Sequence, residues 1–274
     1  MIQTLYTGAS GLTSQQKNID VIANNVSNIN TDGFIKSRMD FQDLLYLRMR
    51  TPRPIDNGPE RNLQRGAGIR TYQTATIFLQ GPLKETGRAL DFALSGKGFF
   101  VVENPVIDED YDGDADPSIL MTRGGNFHLS VEDDGHYLVD LHGRYVLDDS
   151  EQRILLPEGV AIEDIRCDAE GTLSYWTPGE EGGTTEIARL MIVDFVNPGG
   201  LAAVGGNAYI QTDNSGELLD EASARVVHRT LEGSNVDYAE EVTRLIRAQR
   251  VYQLASRVVS TADQMMGIAN NIRP

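Results

Sequence analysis

The amino-acid sequence predicts an α+β fold, with a long helix at each end of the chain and an all-β region between them. Three observations support this prediction: heptad spacing of apolar residues at both ends, alternation of apolar and polar residues in the middle, and uneven charge. The 274-residue chain has a formal net charge of −16. Residues 1–50 carry +1 and residues 231–274 are neutral, so the glycine-rich centre carries −17. The two ends and the centre therefore differ in composition, as separate structural regions do.

Heptad spacing predicts an amphipathic helix over residues 2–26, because apolar residues recur there at alternating steps of three and four. Gln16 is the one polar residue in this seam. Asn28 to Gly33 consists mainly of residue types that favour turns and helix ends, so the helix is expected to end there. The apolar positions of the seam are Ile2, Leu5, Ala9, Leu12, Ile19, Ala23 and Val26.

The C-terminal segment predicts a second helix with two adjacent apolar seams. The first seam is Leu245, Ala248, Tyr252, Ala255, Val259, Ala262, Met266 and Ala269, and the second is Val251, Leu254, Val258, Thr261, Met265, Ile268 and Ile272. A stripe of this width is able to contact two or more neighbouring helices. We expect the helix to be capped around Ser234 and Asn235, and Glu240 and Arg244 have the favourable spacing for an ion pair.

The centre of the chain predicts short strands joined by tight turns. Phe127, Leu129 and Val131 alternate with polar residues, and Tyr137, Val139 and Leu141 repeat the pattern after an Asp-Asp-Gly turn. Further strands are expected over residues 173–176, 187–195 and 208–212. The segment from Thr51 to Gly68 is rich in Pro, Arg, Asn and Gly, and is expected to be extended or a loop.

Composition argues against several classes of protein. The acidic balance disfavours a nucleic-acid-binding protein, because neutralising phosphates requires an excess of Lys and Arg. No apolar run approaches the roughly 20 residues that a membrane-spanning helix needs, so no membrane insertion is expected. Cys167 is the single cysteine, which excludes an intramolecular disulfide. The first residues lack the basic and continuously apolar regions of a secretory signal peptide.

An acidic stretch at residues 108–116 supports an alternative hypothesis, a calcium-binding β-domain. Asp108, Asp110, Asp112 and Gly113 match the first half of a calcium loop, which needs oxygen ligands at positions 1, 3 and 5 and a glycine for the turn. The twelfth position is Ile119, where a bidentate Glu is required. A solvated acidic insertion is therefore favoured over a metal site.

A catalytic site is the second alternative that the residues allow. The candidates are three histidines beside two acidic residues, a lone thiol and a short glycine-lysine-glycine turn: His128, His136, His142, Asp133, Asp134, Cys167 and Gly96 to Gly98. The histidines follow a strand–turn–strand spacing, and the glycine turn is too short for a phosphate-binding loop. We therefore expect no enzymatic activity, no metal and no cofactor.

The motifs at both ends resemble those of bacterial flagellar rod and hook proteins. The N-terminal helix closes in Ala23–Phe34 (ANNVSNINTDGF), and the C-terminal region carries Ser234–Asp237 (SNVD) and Ser260–Met265 (STADQM). Ser95–Val102 and Thr122–Phe127 resemble central motifs of the same family. The length and the run Phe41–Tyr46 are most similar to distal rod members, with proximal rod and hook-type subunits as the alternatives within the family.

The resemblance implies a specific architecture. The terminal helices, within residues 1–35 and 232–274, are expected to pair as an α-helical coiled-coil domain. Residues 36–80 and 215–231 are expected to form an extended linker or rod-specific segment, and residues 81–214 an outer β-rich domain. Identical subunits are then expected to join head-to-tail into the hollow distal rod, a structural shaft that transmits torque from motor to hook.

The resemblance also implies location and partners. The protein is expected in the flagellar basal body, crossing the periplasm or cell wall, after export without a cleaved signal peptide. Its expected partners are further copies of itself, other rod proteins, the hook protein, the surrounding ring proteins and the flagellar type III export apparatus.

The candidate subunit interface follows from the apolar seams, since an N- and a C-terminal helix together cover only one side of each. An ordinary helical hairpin within one monomer explains periodicity alone equally well, but the doubled C-terminal seam favours contacts between subunits. The series Arg244, Arg247, Arg250 and Arg257 is either a solvated face, a subunit contact or a lining of the export channel. The candidate interface residues are Ile2, Leu5, Leu12, Ile19, Val26, Leu245, Tyr252, Val259, Met266, Val251, Leu254, Val258 and Met265.

Overall fold

A computed structural model of the chain describes residues 2–48, 64–104, 118–132, 135–157, 159–176, 183–219 and 224–271. The chain divides into two compact units. The first, here called the helical unit, contains Met1–Ser27, Ser37–Thr76 and Asp237–Pro274. The second, the β unit, contains Asn28–Lys36 and Ile77–Val236.

The helical unit contains a long helix from each end of the chain and two short antiparallel ribbons. Its elements are α1 (Ile2–Ser27), β1 (Ser37–Asp43), β2 (Tyr46–Arg48), β3 (Gln64–Gly66), β4 (Ile69–Thr76) and α2 (Tyr238–Asn271). β1 pairs with β4, and β2 pairs with β3. The predicted helix at each end of the chain is confirmed, and the fold is α+β.

Residues 36–80, expected to form an extended linker or rod-specific segment, contain the four strands that the structure describes in the helical unit. The β1–β4 ladder runs from the Ser37–Thr76 pair to the Asp43–Ile69 pair. Both strands also contact α1. The segment therefore contributes an antiparallel ribbon to the helical unit.

The β unit is built from antiparallel strands. They are β5 (Leu83–Glu85), β6 (Phe92–Ser95), β7 (Phe99–Glu103), β8 (Ile119–Thr122), β9 (His128–Glu132), β10 (Gly135–Val139), β11 (Tyr145–Val146), β12 (Leu155–Leu156), β13 (Ile165–Cys167), β14 (Thr172–Trp176), β15 (Thr184–Arg189), β16 (Ile192–Phe195), β17 (Ala202–Gly205), β18 (Ala208–Ile210), β19 (Leu218–Leu219), β20 (Arg225–His228) and β21 (Thr230–Glu232). Two 3₁₀ turns, Ile162–Asp164 and Pro198–Gly200, complete the described elements.

The largest sheet of the β unit has the strand order β12-β10-β11-β7-β8-β18-β17, with β9 joined to β10 and β16 joined to β7. A three-stranded sheet contains β13, β14 and β15, while β20 pairs with β6 and β21 with β5. The predicted central β region is confirmed. The strands bury two hydrophobic clusters, one around Phe92, Phe100 and Phe127 and one around Phe99 and Phe195.

One predicted alternation holds only as far as Val139. Val139 is buried, but its neighbour Leu138 is also fully buried, and Leu141, expected on the same face as Tyr137 and Val139, is 68% exposed. β10 ends at Val139, so Leu141 lies in the following turn. In this turn Asp140 Oδ1 accepts hydrogen bonds from the backbone N–H groups of His142 and Arg144, at 2.8 and 3.0 Å.

The loop of residues 28–36 belongs to the β unit and is joined to the start of the C-terminal segment. Asn235 Oδ1 accepts the Lys36 N–H at 2.7 Å. Asn235 Nδ2 donates to Ile77 O and Leu79 O, each at 2.9 Å. One amide side chain therefore connects three separate parts of the chain.

The expected N-cap of α2 at Ser234 or Asn235 is wrong, and Asp237 has that role. Its Oδ1 accepts the backbone N–H of Glu240 at 3.1 Å, as a helix-capping side chain does. Asn235 is not available because its amide binds within the β unit, and Ser234 Oγ accepts the Val236 N–H at 3.3 Å.

Candidate assembly interface

The two long helices of the helical unit pack against each other in antiparallel directions. Asn25 of α1 lies beside Glu241 at the start of α2, and Gly8 lies beside Val259 further along it. A Cβ atom added at Gly8 would lie only 2.6 Å from Val259 Cγ2. The absence of a side chain at Gly8 therefore permits this close approach.

A buried polar cluster determines the register of the two helices. Glu241 is completely buried, and its carboxylate accepts hydrogen bonds from Asn25 Nδ2 at 3.3 Å and Arg244 Nη1 at 3.1 Å. Asn25 also donates to Ser37 O at 2.8 Å and accepts the Ser37 N–H at 3.0 Å. A buried carboxylate is costly without such partners, so sliding one helix along the other would break the cluster.

The first seam of α2 is largely covered within the chain. Ala248 and Ala262 are buried, while Leu245, Tyr252 and Val259 are half-buried. Met266 continues this half-buried row, and Glu241 begins it. Burial thus recurs at the heptad spacing that the sequence predicts.

The second seam of α2 is exposed. Val251 is 46% exposed, Leu254 59%, Val258 50%, Met265 48% and Ile268 59%. We call these five residues the α2 stripe. Contiguous exposed apolar surface of this kind marks sites of association.

On α1 the sequence seam and the buried face differ. Leu5, Leu12, Ile19 and Val26 are half-buried, but the intervening Ala9, Gln16 and Ala23 are exposed. The buried positions are Ser14, Ile22 and Asn25. Apolar periodicity could not reveal Asn25, because its burial depends on hydrogen bonds with residues far along the chain. The side chain of Ile2 lies outside the described part of the structure.

An open groove of about 340 Å³ lies between α1, α2 and β1. Its apolar lining residues are Val21, Ile22, Met39, Ala248 and Val251, and its charged lining residues are Arg38, Glu241, Arg244 and Arg247. Arg38 pairs with Asp40 at 3.0 Å, whereas Arg247 has no hydrogen-bond or ion-pair partner among the described residues. We call this feature the groove.

Two family profiles match the segments that form the helix pair. The profile described as "Flagella basal body rod protein" matches residues 5–34, and that described as "Flagellar basal body rod FlgEFG protein C-terminal" matches residues 228–272. Together they include α1 and α2 almost completely.

Relatives of full length share the family. The flagellar basal-body rod protein FlgG of Borreliella burgdorferi is 36% identical over 100% of this chain and 99% of its own length. FlgG of Agrobacterium fabrum is 35% identical over 98% of each chain, and that of Bacillus subtilis is 32% identical over 100% of each. The chain belongs to the flagellar basal-body rod protein family.

Because the two family profiles cover α1 and α2, these helices are the candidate site. The acidic stretch at residues 108–116, for which a calcium loop is the alternative hypothesis, lies outside the described residues, as do Asp133 and Asp134. In the part of the chain that the structure describes, no group of three or more His, Cys, Asp or Glu side chains is placed to hold a metal ion. Neither described helix is long and apolar enough to cross a bilayer.

The histidine candidates of this rod-family chain do not converge. His136 faces Val131 across the β9–β10 pair, while His128 faces Val139. His142 lies in the next turn and is exposed. The three imidazoles therefore occupy different register positions of one hairpin and its following turn.

Cys167 does not have the environment of a reactive thiol. Burial, and secondarily the charge of Asp168, raise the pKa of Cys167 to about 12. Its Sγ lies 3.3 Å from Asp168 O. Because a nucleophilic cysteine needs a lowered pKa, this raised pKa does not fit a catalytic thiol.

Proposed function

We propose that the chain is a structural, non-enzymatic subunit of the distal rod of the bacterial flagellar basal body. Copies assemble head-to-tail into a hollow shaft that transmits torque from motor to hook. The exposed α2 stripe, in a chain whose full-length relatives are FlgG rod proteins, is the observation that supports this proposal.

One copy of the chain leaves the apolar side chains of the α2 stripe uncovered. Fully burying a Val, Leu, Ile or Met side chain contributes about 1.5–3 kcal/mol relative to leaving it exposed. A second copy is able to supply that cover, and identical subunits joined by unlike surfaces form an open helical filament. The heptad burial of the first seam supports coiled-coil packing of α1 and α2 within each subunit.

Location and further partners follow from the same proposal. The protein lies in the basal body, across the periplasm or cell wall, and contacts other rod proteins, the hook protein and the surrounding rings. A Bacillus subtilis relative, 27% identical over 100% of each chain, is a flagellar hook-basal body complex protein, which supports assembly with such components. The chain is exported by the flagellar type III apparatus, and its lack of disulfides suits passage through a narrow channel.

A matched pair of substitutions tests the assembly role. Val258→Asp places a charge in the α2 stripe, whereas Ser260→Asp places the same charge at an exposed position two residues away, on another face of the helix. We expect Val258→Asp to abolish polymerisation and motility with normal helix content, and Ser260→Asp to retain both. The measurements are electron microscopy of concentrated protein and a swimming assay in a complemented deletion strain. Normal filaments and swimming with Val258→Asp would contradict the proposal.

A further inference from the structure

We infer that the end of the helix pair that holds the last turns of α2 in one copy docks into the groove of the next copy. The docking end, here called the tip, consists of Tyr6, Met265 and Ile268. This inference rests on the proposed function, and specifies which surfaces of two subunits meet. It assigns unlike surfaces to the two sides of one contact.

The groove has a mixed lining, with an apolar part and an arginine, Arg247, that no described residue pairs with. Ile22 and Ala248 are 5% and 4% exposed, and Val251 opens onto the surface at 46%. Arg247 lies four residues before Val251, so it begins the same face of α2 that carries the stripe. Its guanidinium carries donors that no described residue accepts.

The tip offers exposed apolar side chains to the apolar part of the groove, and helix-end carbonyl groups to Arg247. Tyr6 is 69% exposed, Met265 48% and Ile268 59%. No residue from Gln264 to Asn271 is charged. The last four carbonyl groups of an α-helix have no partner within the helix, so the end of α2 offers acceptors to a guanidinium such as Arg247.

The tip and the groove lie at opposite ends of the antiparallel pair. Gly8 is beside Val259, which places Tyr6 toward the C-terminal end of α2, while Asn25 beside Glu241 marks the end that holds the groove. Contact between unlike ends leaves a free tip and a free groove after each addition. Such an association is heterologous and does not stop at a dimer.

A second copy fits this surface better than a small ligand does. The groove is near the lower limit of ligand pockets, which span about 300–1,000 Å³. The apolar stripe continues from Val251 to Ile268, about 26 Å at 1.5 Å per residue. A small molecule in the groove would leave Met265 and Ile268 exposed, whereas in a row of copies each tip is covered by the groove of the next copy.

Cysteine cross-linking of the full-length protein tests the register. Cys167→Ser removes the single native thiol, and Val251→Cys with Ile268→Cys places one thiol in the groove and one at the tip. These positions are about 26 Å apart on one helix, far beyond the 4.4–6.8 Å between Cα atoms joined by a disulfide. Every disulfide between them therefore joins two copies.

We expect mild oxidation of the concentrated protein to give a ladder of dimers, trimers and larger species on a non-reducing gel. Each single-cysteine variant should stop at dimers. The control pair, Gln249→Cys with Gly267→Cys, lies at exposed positions on another face of α2. It should cross-link at least about tenfold more slowly, because assembly does not bring these thiols together.

The other outcomes contradict the inference in distinct ways. Dimers alone would indicate a symmetric contact between like ends. Filaments in the microscope without a Val251–Ile268 cross-link would overturn this register while leaving the proposed function intact. Loss of both filaments and cross-links would count against both, provided that the parent Cys167→Ser chain also fails to polymerise.

Two additional variants keep the test decisive. If Val251→Cys disturbs folding, as measured by helix content, Asn18→Cys provides a second thiol in the groove.

Arg247→Ala should raise the protein concentration needed for polymerisation about tenfold, because hydrogen bonds to a charged group contribute about 1.5–3 kcal/mol. Arg250→Ala, an exposed arginine that does not line the groove, is the matched control, and an equal effect of both changes would overturn the role of Arg247.

Discussion

A buried ion pair stabilises the β unit. It lies near the end of this unit, shortly before the chain enters α2. Arg123 Nη1 lies 2.9 Å from Glu232 Oε2, and the two side chains are 9% and 4% exposed. Arg123 Nη2 also donates to Gly96 O at 2.8 Å, and Glu232 Oε1 accepts the Gly81 N–H at 2.8 Å. The pair therefore joins four segments of the β unit.

Arg123→Ala should destabilise the β unit by about 3–5 kcal/mol, because it leaves the buried carboxylate of Glu232 without its counter-charge. Arg153→Ala is the control, since Arg153 and its partner Glu103 are 42% and 29% exposed, and such a pair contributes about 1 kcal/mol or less. Urea denaturation followed by circular dichroism measures both. Adding Glu232→Gln to Arg123→Ala should recover part of the loss. Equal effects of the two arginine changes would contradict the argument.

His228 gives the β unit a defined response to acid. Its ring stacks on Phe92 with centroids 5.5 Å apart, and Nε2 lies 2.7 Å from Ala89 O. Burial is the main cause that lowers the pKa of His228, and the charges of Arg229 and Arg166 act in the same direction. The hydrogen bond to Ala89 opposes them.

The sign of this pKa shift determines the pH dependence. A lowered pKa means that the unfolded chain binds more protons than the folded one at pH values just below about 6.5. Stability from this group is therefore complete above about pH 6.5, and is lost as the pH falls toward the lowered pKa. His228→Gln should reduce the slope of stability against pH in that window. A nuclear magnetic resonance titration placing the pKa of His228 at or above 6.5 would refute this expectation.

At the scale of elements, helix pairing depends on one glycine. Gly8→Ala should destabilise the helical unit by about 1–3 kcal/mol, because the new methyl group meets a β-branched side chain that has one preferred rotamer in a helix. Gly11→Ala has no atom within 4 Å of the added Cβ, and should stabilise α1 by about 0.5–1 kcal/mol. Thermal unfolding followed at the helical circular dichroism band compares them. Restoration by Val259→Ala in the Gly8→Ala background would identify the contact, and its failure would exclude it.

The same elements explain how far the sequence predicted the fold. The long helices and the central strands were predictable because apolar periodicity is a local signal that extends over many residues. The β1–β4 ribbon was not, since β1 alternates little and pairs with β4 across a bulge between Asp40 and Phe41. The register of α1 on α2 was also hidden, because Asn25 and Glu241 are 216 residues apart.

In the candidate interface, too, the features set by neighbouring residues were predictable, and those that depend on residues distant in sequence were not. The second seam of α2 was predicted residue by residue, and its exposure makes it the better candidate for contact between copies. The first seam is covered partly by the chain itself, and Val259 lies against Gly8. The groove was not predictable, because α1, α2 and β1 contribute to it from distant parts of the sequence.

At the scale of the whole molecule, positive and negative charge are separated more strongly between the two structural units than between the ends and the centre of the sequence. The helical unit contains 13 basic and 9 acidic residues, and the β unit 11 basic and 31 acidic ones. Their net charges are therefore +4 and −20. The boundary lies at Asp237, so residues 231–236 belong to the acidic unit although they precede α2 directly.

This boundary predicts different outcomes for two truncations. Removing residues 237–274 takes away α2 alone, and the β unit should retain its unfolding transition because its strands and the Arg123–Glu232 pair remain. Removing residues 231–274 also deletes most of β21, which pairs with β5, and leaves Arg123 without Glu232. The β unit should then lose at least about 3 kcal/mol of stability. Calorimetry of both truncated chains beside the full chain makes the comparison. Equal transitions would move the boundary back to residue 231, whereas loss of the transition in both would show that the β unit depends on α2.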